Sequence, residues 1–197
     1  MRSFQLTLKR LMDIVLCLAV IFVFWPLLVL IAVLVKLSSP GPIFFLQERV
    51  GLEQKPFRII KFRTMVERRS NEPVAAWTAE EEARITPVGR FLRDYGLDEL
   101  PQVLNILKGE MSIVGPRPPL PVQVEGYTAH QREMFQMRPG VLSLAAVEGR
   151  RSIPMDKRIA LHVKYVQEWS LGLDLRILWQ SLFVVLRRQD AAESVIK

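Results

Sequence analysis

From Ile14 to Val35 the chain carries no charged residue, and no other apolar run in it approaches that length. At about 1.5 Å per residue, a straight helix over this run would cover the hydrocarbon core of a bilayer. Pro26 stands in its middle, where it removes a backbone donor and crowds the preceding turn, so the pattern predicts a break. The arms Ile14 to Trp25 and Leu27 to Val35 would each reach about 13 to 18 Å, and neither spans alone. Basic residues flank both ends, with Arg2, Lys9 and Arg10 before the run and Lys36, Arg49, Lys55, Arg58, Lys61 and Arg63 after it. The cytoplasmic preference of such flanks keeps both ends on one side. A re-entrant helix-break-helix hairpin over residues 1–36, centred on Pro26, satisfies both observations. The run is too long for the apolar region of a typical signal peptide and lacks a clear small-residue cleavage site, so the segment is expected to stay attached. Asp13 reads as a helix-start residue, or as an ion-pair partner of Arg10 at the membrane edge.

Beyond Lys36 the pattern changes. Ser38-Ser39-Pro40-Gly41-Pro42 is dense turn chemistry, and Ile43 to Met65, rich in β-branched and aromatic residues and interrupted near Gly51, predicts a short extended pair. Val66 to Arg84 is polar, with Glu80, Glu81 and Glu82 in a row, and reads as a solvated loop or exposed helix. Leu92, Leu97, Leu100, Val103, Leu104 and Leu107 recur at mostly helical spacing before Lys108-Gly109, giving two helices separated near Gly96. A last helical stretch runs from Arg158 to Arg188 with a break around Ser170-Leu171-Gly172. Its stripe of Leu175, Leu178, Leu182, Val185 and Leu186, with Trp169, Trp179 and cationic Arg176, Arg187 and Arg188, suits a helix lying on a membrane surface. A core helix is the competing reading of the same stripe. The expected fold class is α+β, mainly helical. It is a membrane-associated single domain with the N-terminal hairpin, a short β segment and interfacial amphipathic helices.

Composition narrows this picture. At 197 residues the chain suits one catalytic unit, placed at 37–188 and followed by a polar, flexible tail at 189–197. The net charge of +7 calls for an anionic partner: nucleic acid, an anionic membrane surface or a phosphorylated substrate. No recognisable nucleic-acid reader motif is present, which argues against the first. Cys17 is the single cysteine, and His130 and His162 are the only histidines. A disulfide within the chain is therefore impossible, and neither a zinc site nor a Cys/His nucleophile pair has support.

The chemistry gathers around Leu97-Asp98-Glu99-Leu100-Pro101-Gln102. Pro101 is tolerated in the first turn of a helix, which places Asp98 at or beside an N-cap. A capping Asp and a nucleophile are both compatible with that position, because free N–H groups and the helix dipole stabilise negative charge there. Glu99 is either an exposed acid or a carboxylate that holds a divalent cation. Lys61, Arg93 and Arg117, with Arg138 in Arg138-Pro139-Gly140, are candidate phosphate-binding cations. Arg117, inside Gly115-Pro116-Arg117-Pro118-Pro119, is held on a stiff loop suited to fork-like recognition. Gly149-Arg150-Arg151 repeats the theme of a cation beside a turn residue.

These motifs resemble the bacterial sugar transferase family, the monotopic phosphoglycosyl transferases, in their small catalytic-domain-only form. The match runs in order through Lys9-Arg10-Leu11-Met12-Asp13, Pro26, Gly41-Pro42-Ile43-Phe44-Phe45, Gln47-Glu48-Arg49, Lys61-Phe62-Arg63-Thr64-Met65 and LDELPQ. It continues through Asn105-Ile106-Leu107-Lys108-Gly109-Glu110-Met111-Ser112, GPRP and Arg138-Pro139-Gly140. The resemblance implies a Mg2+-dependent, two-step transfer of a phosphosugar from a UDP-sugar to polyprenyl (undecaprenyl) phosphate, the first membrane step of glycoconjugate or exopolysaccharide assembly. Asp98 would be the nucleophile that forms an aspartyl phosphosugar and releases UMP, and Glu99 the Mg2+ ligand. Lys61, Arg93 and Arg117 would handle phosphate. It also implies a place in the bacterial inner membrane with the active site on the cytoplasmic face, in contact with membrane lipids; whether the chain forms a homo-oligomer is left open. Trp25 stands where many relatives have Ser and Val50 where Pro is usual. Val141 to Arg150 replaces a Thr-Gly pair followed by Gln and Asn, which implies altered donor recognition. A catalytically silent membrane scaffold of the same family is the alternative.

Overall fold

The computed structural model describes residues 2–66, 79–148 and 153–187. Helix α1, Arg2–Ser38, carries Pro26 inside it. The expected division into two helices is therefore corrected: the proline withdraws one donor, and the turns on either side still belong to one helix. Each arm of α1 buries one face, and most of its middle is exposed. Lys9, Asp13 and Cys17 are buried toward one end and Ile31 and Val35 toward the other, whereas Phe22, Val23, Phe24, Trp25, Val29 and Leu30 between them are exposed.

The two arms of α1 enter two hydrophobic clusters, each of which also holds a residue of one antiparallel hairpin. Strands β1, Phe44–Val50, and β2, Pro56–Phe62, pair from Phe44 opposite Phe62 to Val50 opposite Pro56. Between them lies a 3-10 turn, Leu52–Gln54. This is the extended pair expected around Gly51. Cys17 packs with Ile59, Ile106 and Met111, while Ile31 and Val35 pack with Phe62 and Leu92. Ile59 and Phe62, three residues apart on β2, point to opposite faces of the strand, and each belongs to a cluster that one arm of α1 also enters. Just beyond it, the Arg63 guanidinium donates to the carbonyls of Ser39 and Pro40, each at 2.7 Å, where α1 has just ended.

Short helices follow: α2 at Ala79–Ala83, α3 at Pro87–Asp94 and, after a 3-10 turn at Leu97–Gln102, α4 at Val103–Lys108. Thr86 caps α3 by accepting from the Gly89 N–H, and a Cβ on Gly89 would stand 2.0 Å from the Thr64 carbonyl oxygen, so α3 lies directly on the backbone that leaves β2. Gly96, at φ 68°, and Gly109, at φ 87°, make the left-handed turns that bound the 3-10 turn and α4. The separation near Gly96 and the stop at Gly109 are as expected. The remaining elements are β3 at Ser112–Val114, α5 at Pro121–Val124, α6 at Ala129–Arg132 and β4 at Gly140–Leu142, followed by α7 at Leu144–Glu148, α8 at Met155–Gln167 and α9 at Leu171–Arg187. Strands β3 and β4 pair in parallel, Ser112 opposite Gly140 and Val114 opposite Leu142. This second sheet was not anticipated, because three-residue strands leave no alternation to read.

A core of Val114, Met137, Leu144, Tyr165, Val166, Trp169 and Ile177 joins these strands to α7, α8 and α9. Inside it the Asp174 carboxylate accepts from Lys9 Nζ at 2.6 Å, the Tyr165 hydroxyl at 2.6 Å and the Trp169 indole N–H at 3.2 Å. Asp13 is neither a helix start nor the partner of Arg10. It is buried mid-helix, where its carboxylate accepts from the Ser112 hydroxyl at 2.8 Å and the Ile113 N–H at 3.0 Å, while Arg10 donates to the carbonyls of Ile106 and Leu107 at the end of α4.

Helix α9 turns Asp174, Ile177 and Ser181 inward and exposes Leu175, Trp179, Leu182 and Phe183. Of the stripe read from sequence, Leu175, Trp179 and Leu182 face outward, as a surface helix in contact with lipid would present them, whereas Trp169 and Leu178 pack into the core. Of the polar segment between Val66 and Arg84, residues 67–78 lie outside the described residues, as do Gly149-Arg150-Arg151 and the tail from Arg188.

Candidate active site

The acidic pair is placed by the 3-10 turn Leu97–Gln102, whose N-cap is Gly96 with no side-chain capping bond. Asp98 thus lies inside the first turn, and the expected cap role passes to Gly96, whose positive φ begins the turn without a side chain. The turn packs against β2. Lys61, the β2 residue opposite Phe45, sends Nζ to Glu99 Oε1 at 2.6 Å. Arg117 Nη2 reaches the same oxygen at 3.1 Å.

Arg117 is held from behind by backbone contact. The Gly115 N–H donates to the Leu142 carbonyl and the Gly140 N–H to the Pro116 carbonyl, both at 2.9 Å. A Cβ on Gly115 would stand 2.4 Å from the Arg138 carbonyl oxygen, and one on Gly140 would stand 2.0 Å from the Gly115 nitrogen. Two glycines from separate motifs therefore let two backbones touch, and this contact fixes the proline-bounded loop that carries Arg117.

The electrostatics divide the two carboxylates. Burial pushes both up. For Glu99 the opposing charges of Arg117 and Lys61, with their hydrogen bonds, bring the pKa down to about 2. For Asp98 burial prevails: the pKa is raised, with Glu99 adding to the rise while Lys61 and Arg93 oppose it. Adjacent acids held at different basicities suit different tasks, one permanently ionised and one a stronger base.

Lys61, Glu99 and Arg117 line one pocket together with Arg49, Ile59, Gln102, Pro118 and Gly140. Arg93 belongs to the same electrostatic neighbourhood through Asp98. Arg138 is not among the residues lining this pocket: its Nε donates to the Gly109 carbonyl at 2.8 Å, behind the end of α4. Arg49 and Gln102 are pocket residues that appeared in the sequence as motif members without a role. Arg49 is fixed by Nη1 to the Pro118 carbonyl at 3.1 Å and Nη2 to Gln47 Oε1 at 2.6 Å. His162 is buried, and its pKa is pushed down to about 4 by that burial and by Arg117 and Arg158, so its ring is neutral near pH 7.

The departures at 141–148 do not line the pocket. Leu142, Leu144 and Val147 pack in the core of β3, α8 and α9, Val141 packs beside Ile59 and Met111, and the Ser143 hydroxyl accepts from the Ala146 N–H at the start of α7.

For Mg2+, the relevant observation is the donor set. Among the described residues there is no group of three His, Cys, Asp or Glu side chains arranged for a metal. Mg2+ commonly binds through one or two carboxylates plus substrate phosphates and water, and adjacent Asp98 and Glu99 supply hard oxygen donors of that kind. The residues present fit the ion in that mode.

The model of the bacterial sugar transferase family matches residues 4–188. Over 191 residues the chain is 42% identical to the UDP-glucose:undecaprenyl-phosphate glucose-1-phosphate transferase of Caulobacter vibrioides, covering 93% of this chain and 71% of that one. It is 38% identical to the uncharacterized sugar transferase EpsL of Bacillus subtilis, across 91% of this chain and 87% of that one. It is 37% identical to the UDP-galactose-lipid carrier transferase of Erwinia amylovora, of which it spans 41%. The matched span runs from the apolar helix, through the acidic pair and the arginine loop, to the final amphipathic helix, and on it the chain belongs to the bacterial sugar transferase family.

Proposed function

We propose that this protein transfers a sugar 1-phosphate from a UDP-sugar to a polyprenyl phosphate, through a covalent intermediate on Asp98. The observation that carries the reading is the arrangement around the turn: a buried Asp98 of raised pKa beside a Glu99 that two cations hold ionised. An Asp98 carboxylate oxygen attacks the β-phosphorus of the donor. The new O–P bond forms as the bond from phosphorus to the bridging oxygen breaks, and UMP leaves with that oxygen. An oxygen of the polyprenyl phosphate then attacks the aspartyl phosphorus, which yields a polyprenyl diphosphosugar and restores the carboxylate. The raised basicity of Asp98 makes it a better nucleophile once ionised, and Lys61, Arg93 and Arg117 offset charge on the transferring group. Glu99, with Asp98 beside it, would hold Mg2+, which supplies further neutralisation of the diphosphate.

We further read α1 as re-entrant, bending through Pro26 within one leaflet, with the active site at the cytoplasmic face of the bacterial inner membrane. The entry of one face of each arm into clusters that hold Ile59 and Phe62, with most of the apolar middle exposed, supports this topology. The relatives named for glucose and for galactose leave the sugar to be found by assay, and the product would be the first lipid-linked unit of an exopolysaccharide or other glycoconjugate. The silent-scaffold alternative drew on residues 141–148, none of which lines the pocket.

The test is a screen of purified protein with Mg2+ against UDP-sugars, reading UMP release, followed by mass spectrometry. A phosphosugar adduct on Asp98 is expected. Labelling that survives Asp98→Asn overturns the covalent assignment, and absence of UMP release across the panel returns the scaffold reading.

A further inference from the structure

Gln102 closes the same 3-10 turn that carries Asp98 and Glu99. It is 2% exposed, and its side-chain Nε2 is buried with no hydrogen-bond acceptor among the described residues. Asn105, three residues later and also fully buried, shows what a structural amide does in this fold. Its Nδ2 donates to the Arg58 carbonyl and to Glu110 Oε2, both at 2.7 Å, and its Oδ1 accepts from the Ile60 N–H at 3.0 Å. Gln102 spends its donor on nothing comparable, and leaving a buried amide donor unmatched is unfavourable enough that folds rarely retain one without use.

Its surroundings indicate the use. Gln102 lines the pocket with Arg49, Lys61, Glu99 and Arg117. Arg49 has its two Nη groups engaged on the Pro118 carbonyl and Gln47, and its Nε is likewise buried without an acceptor. Among the described residues lining the pocket, the buried atoms left unmatched are these two, and both are donors. Two spare N–H groups of different chemistry, beside two cations, suit a ligand that offers several anionic oxygens at once.

We propose that Gln102, with Arg49, is a ligand-binding residue of this pocket, its side-chain amide donating to a phosphoryl oxygen of the substrate. The inference rests on the transfer reading above for the identity of that substrate. The phosphoryl oxygen belongs either to the diphosphate of the nucleotide sugar or to the lipid phosphate, and the two half-reactions separate these sources.

The experiment uses full-length protein in detergent or nanodiscs, unaltered and as Gln102→Leu and Gln102→Met. Three properties are measured: the Tm, the rate of Asp98 labelling by UDP-sugar without lipid, and the rate at which polyprenyl phosphate discharges the label. Removing an unmatched donor leaves Tm unchanged or raised, whereas removing a structural amide lowers it. A loss of about tenfold or more is expected in one half-reaction, in line with a hydrogen bond to a charged group. Slower labelling assigns Gln102 to the donor diphosphate, and slower discharge assigns it to the lipid phosphate. The inference is overturned if both variants lose Tm, or if both half-reactions run at the unaltered rate. Should the unaltered protein take no label and release no UMP, the transfer reading fails by itself. Gln102 is then judged by calorimetric titration with UDP and with inorganic phosphate, where affinity unchanged in Gln102→Leu also overturns the inference.

Discussion

Burial would push the Glu99 carboxyl up, yet Arg117 and Lys61 bring it from 4.5 down to about 2. A folded value below the unfolded one stabilises the fold above pH 4.5, and that contribution is lost as pH falls toward 2. The drop corresponds to roughly 3 kcal/mol as an upper bound, and the half-exposed Arg117 is screened by solvent and supplies less than its share. Thermal melts should therefore show Glu99→Gln less stable than the unaltered protein at pH 6, with the gap narrowing below pH 4.5 and closing near pH 2. A gap undiminished at pH 2 would refute the linkage. Asp98 has the opposite sign. Its raised value means that ionisation costs stability, a cost absent below its ordinary 3.8 and growing as pH rises. Asp98→Asn should accordingly gain on the order of 2–4 °C in Tm at pH 7 per kcal/mol relieved, while losing all labelling. At this scale Asp98, Glu99, Lys61 and Arg117 were legible because an acid pair beside cations on proline-stiffened loops is a recognisable chemistry. Gln102 and Asp13 were not, since their significance is burial, which one sequence does not display.

Elements were legible where their periodicity ran long enough. The hairpin around Gly51, the breaks near Gly96 and Ser170, and α9 all carried readable patterns, whereas β3 and β4 at three residues each did not. Pro26 was read too strongly as a break, since one helix runs through it. What the pattern concealed most was how α1 meets α9. Lys9 and Asp174 pair at 2.6 Å with their side chains 9% and 5% exposed, and the Tyr165 hydroxyl and Trp169 indole fill the remaining capacity of the carboxylate. Removing one partner of a buried pair strands the other charge, at about 3–5 kcal/mol, whereas replacing both with apolar groups can be nearly neutral. Asp174→Ala and Lys9→Met should each destabilise strongly in denaturant melts, and the double variant by clearly less than their sum. Strict additivity would mean that the two side chains are not coupled.

At the scale of the whole molecule, the two ends of α1 sit on one body. Cys17 and Val35 belong to clusters that also hold Ile59 and Phe62 of β2, while most of the apolar middle is exposed. In a Cys17→Ala background, single cysteines at exposed Leu6 and Leu37 should both react with a membrane-impermeant thiol reagent in inverted vesicles and neither in intact cells. Reaction of one from each side would establish a spanning helix instead. The family was legible from the ordered motifs alone, because a site built from separated short segments leaves several signatures along the chain. The sugar was not, because donor preference lies in pocket shape.

The hold of α1 on the rest of the chain, through Ile31 and Val35 at one end and Lys9 at the other, carries a practical consequence for anyone who wants a crystallisable, detergent-free protein. Trimming the apolar helix at residue 38 would strip neighbours from Phe62, from Leu92 and from the Asp174 carboxylate in one stroke, one residue from the lysine that holds Glu99. Water solubility would have to be engineered by repainting the exposed middle of the helix, leaving both docked ends in place.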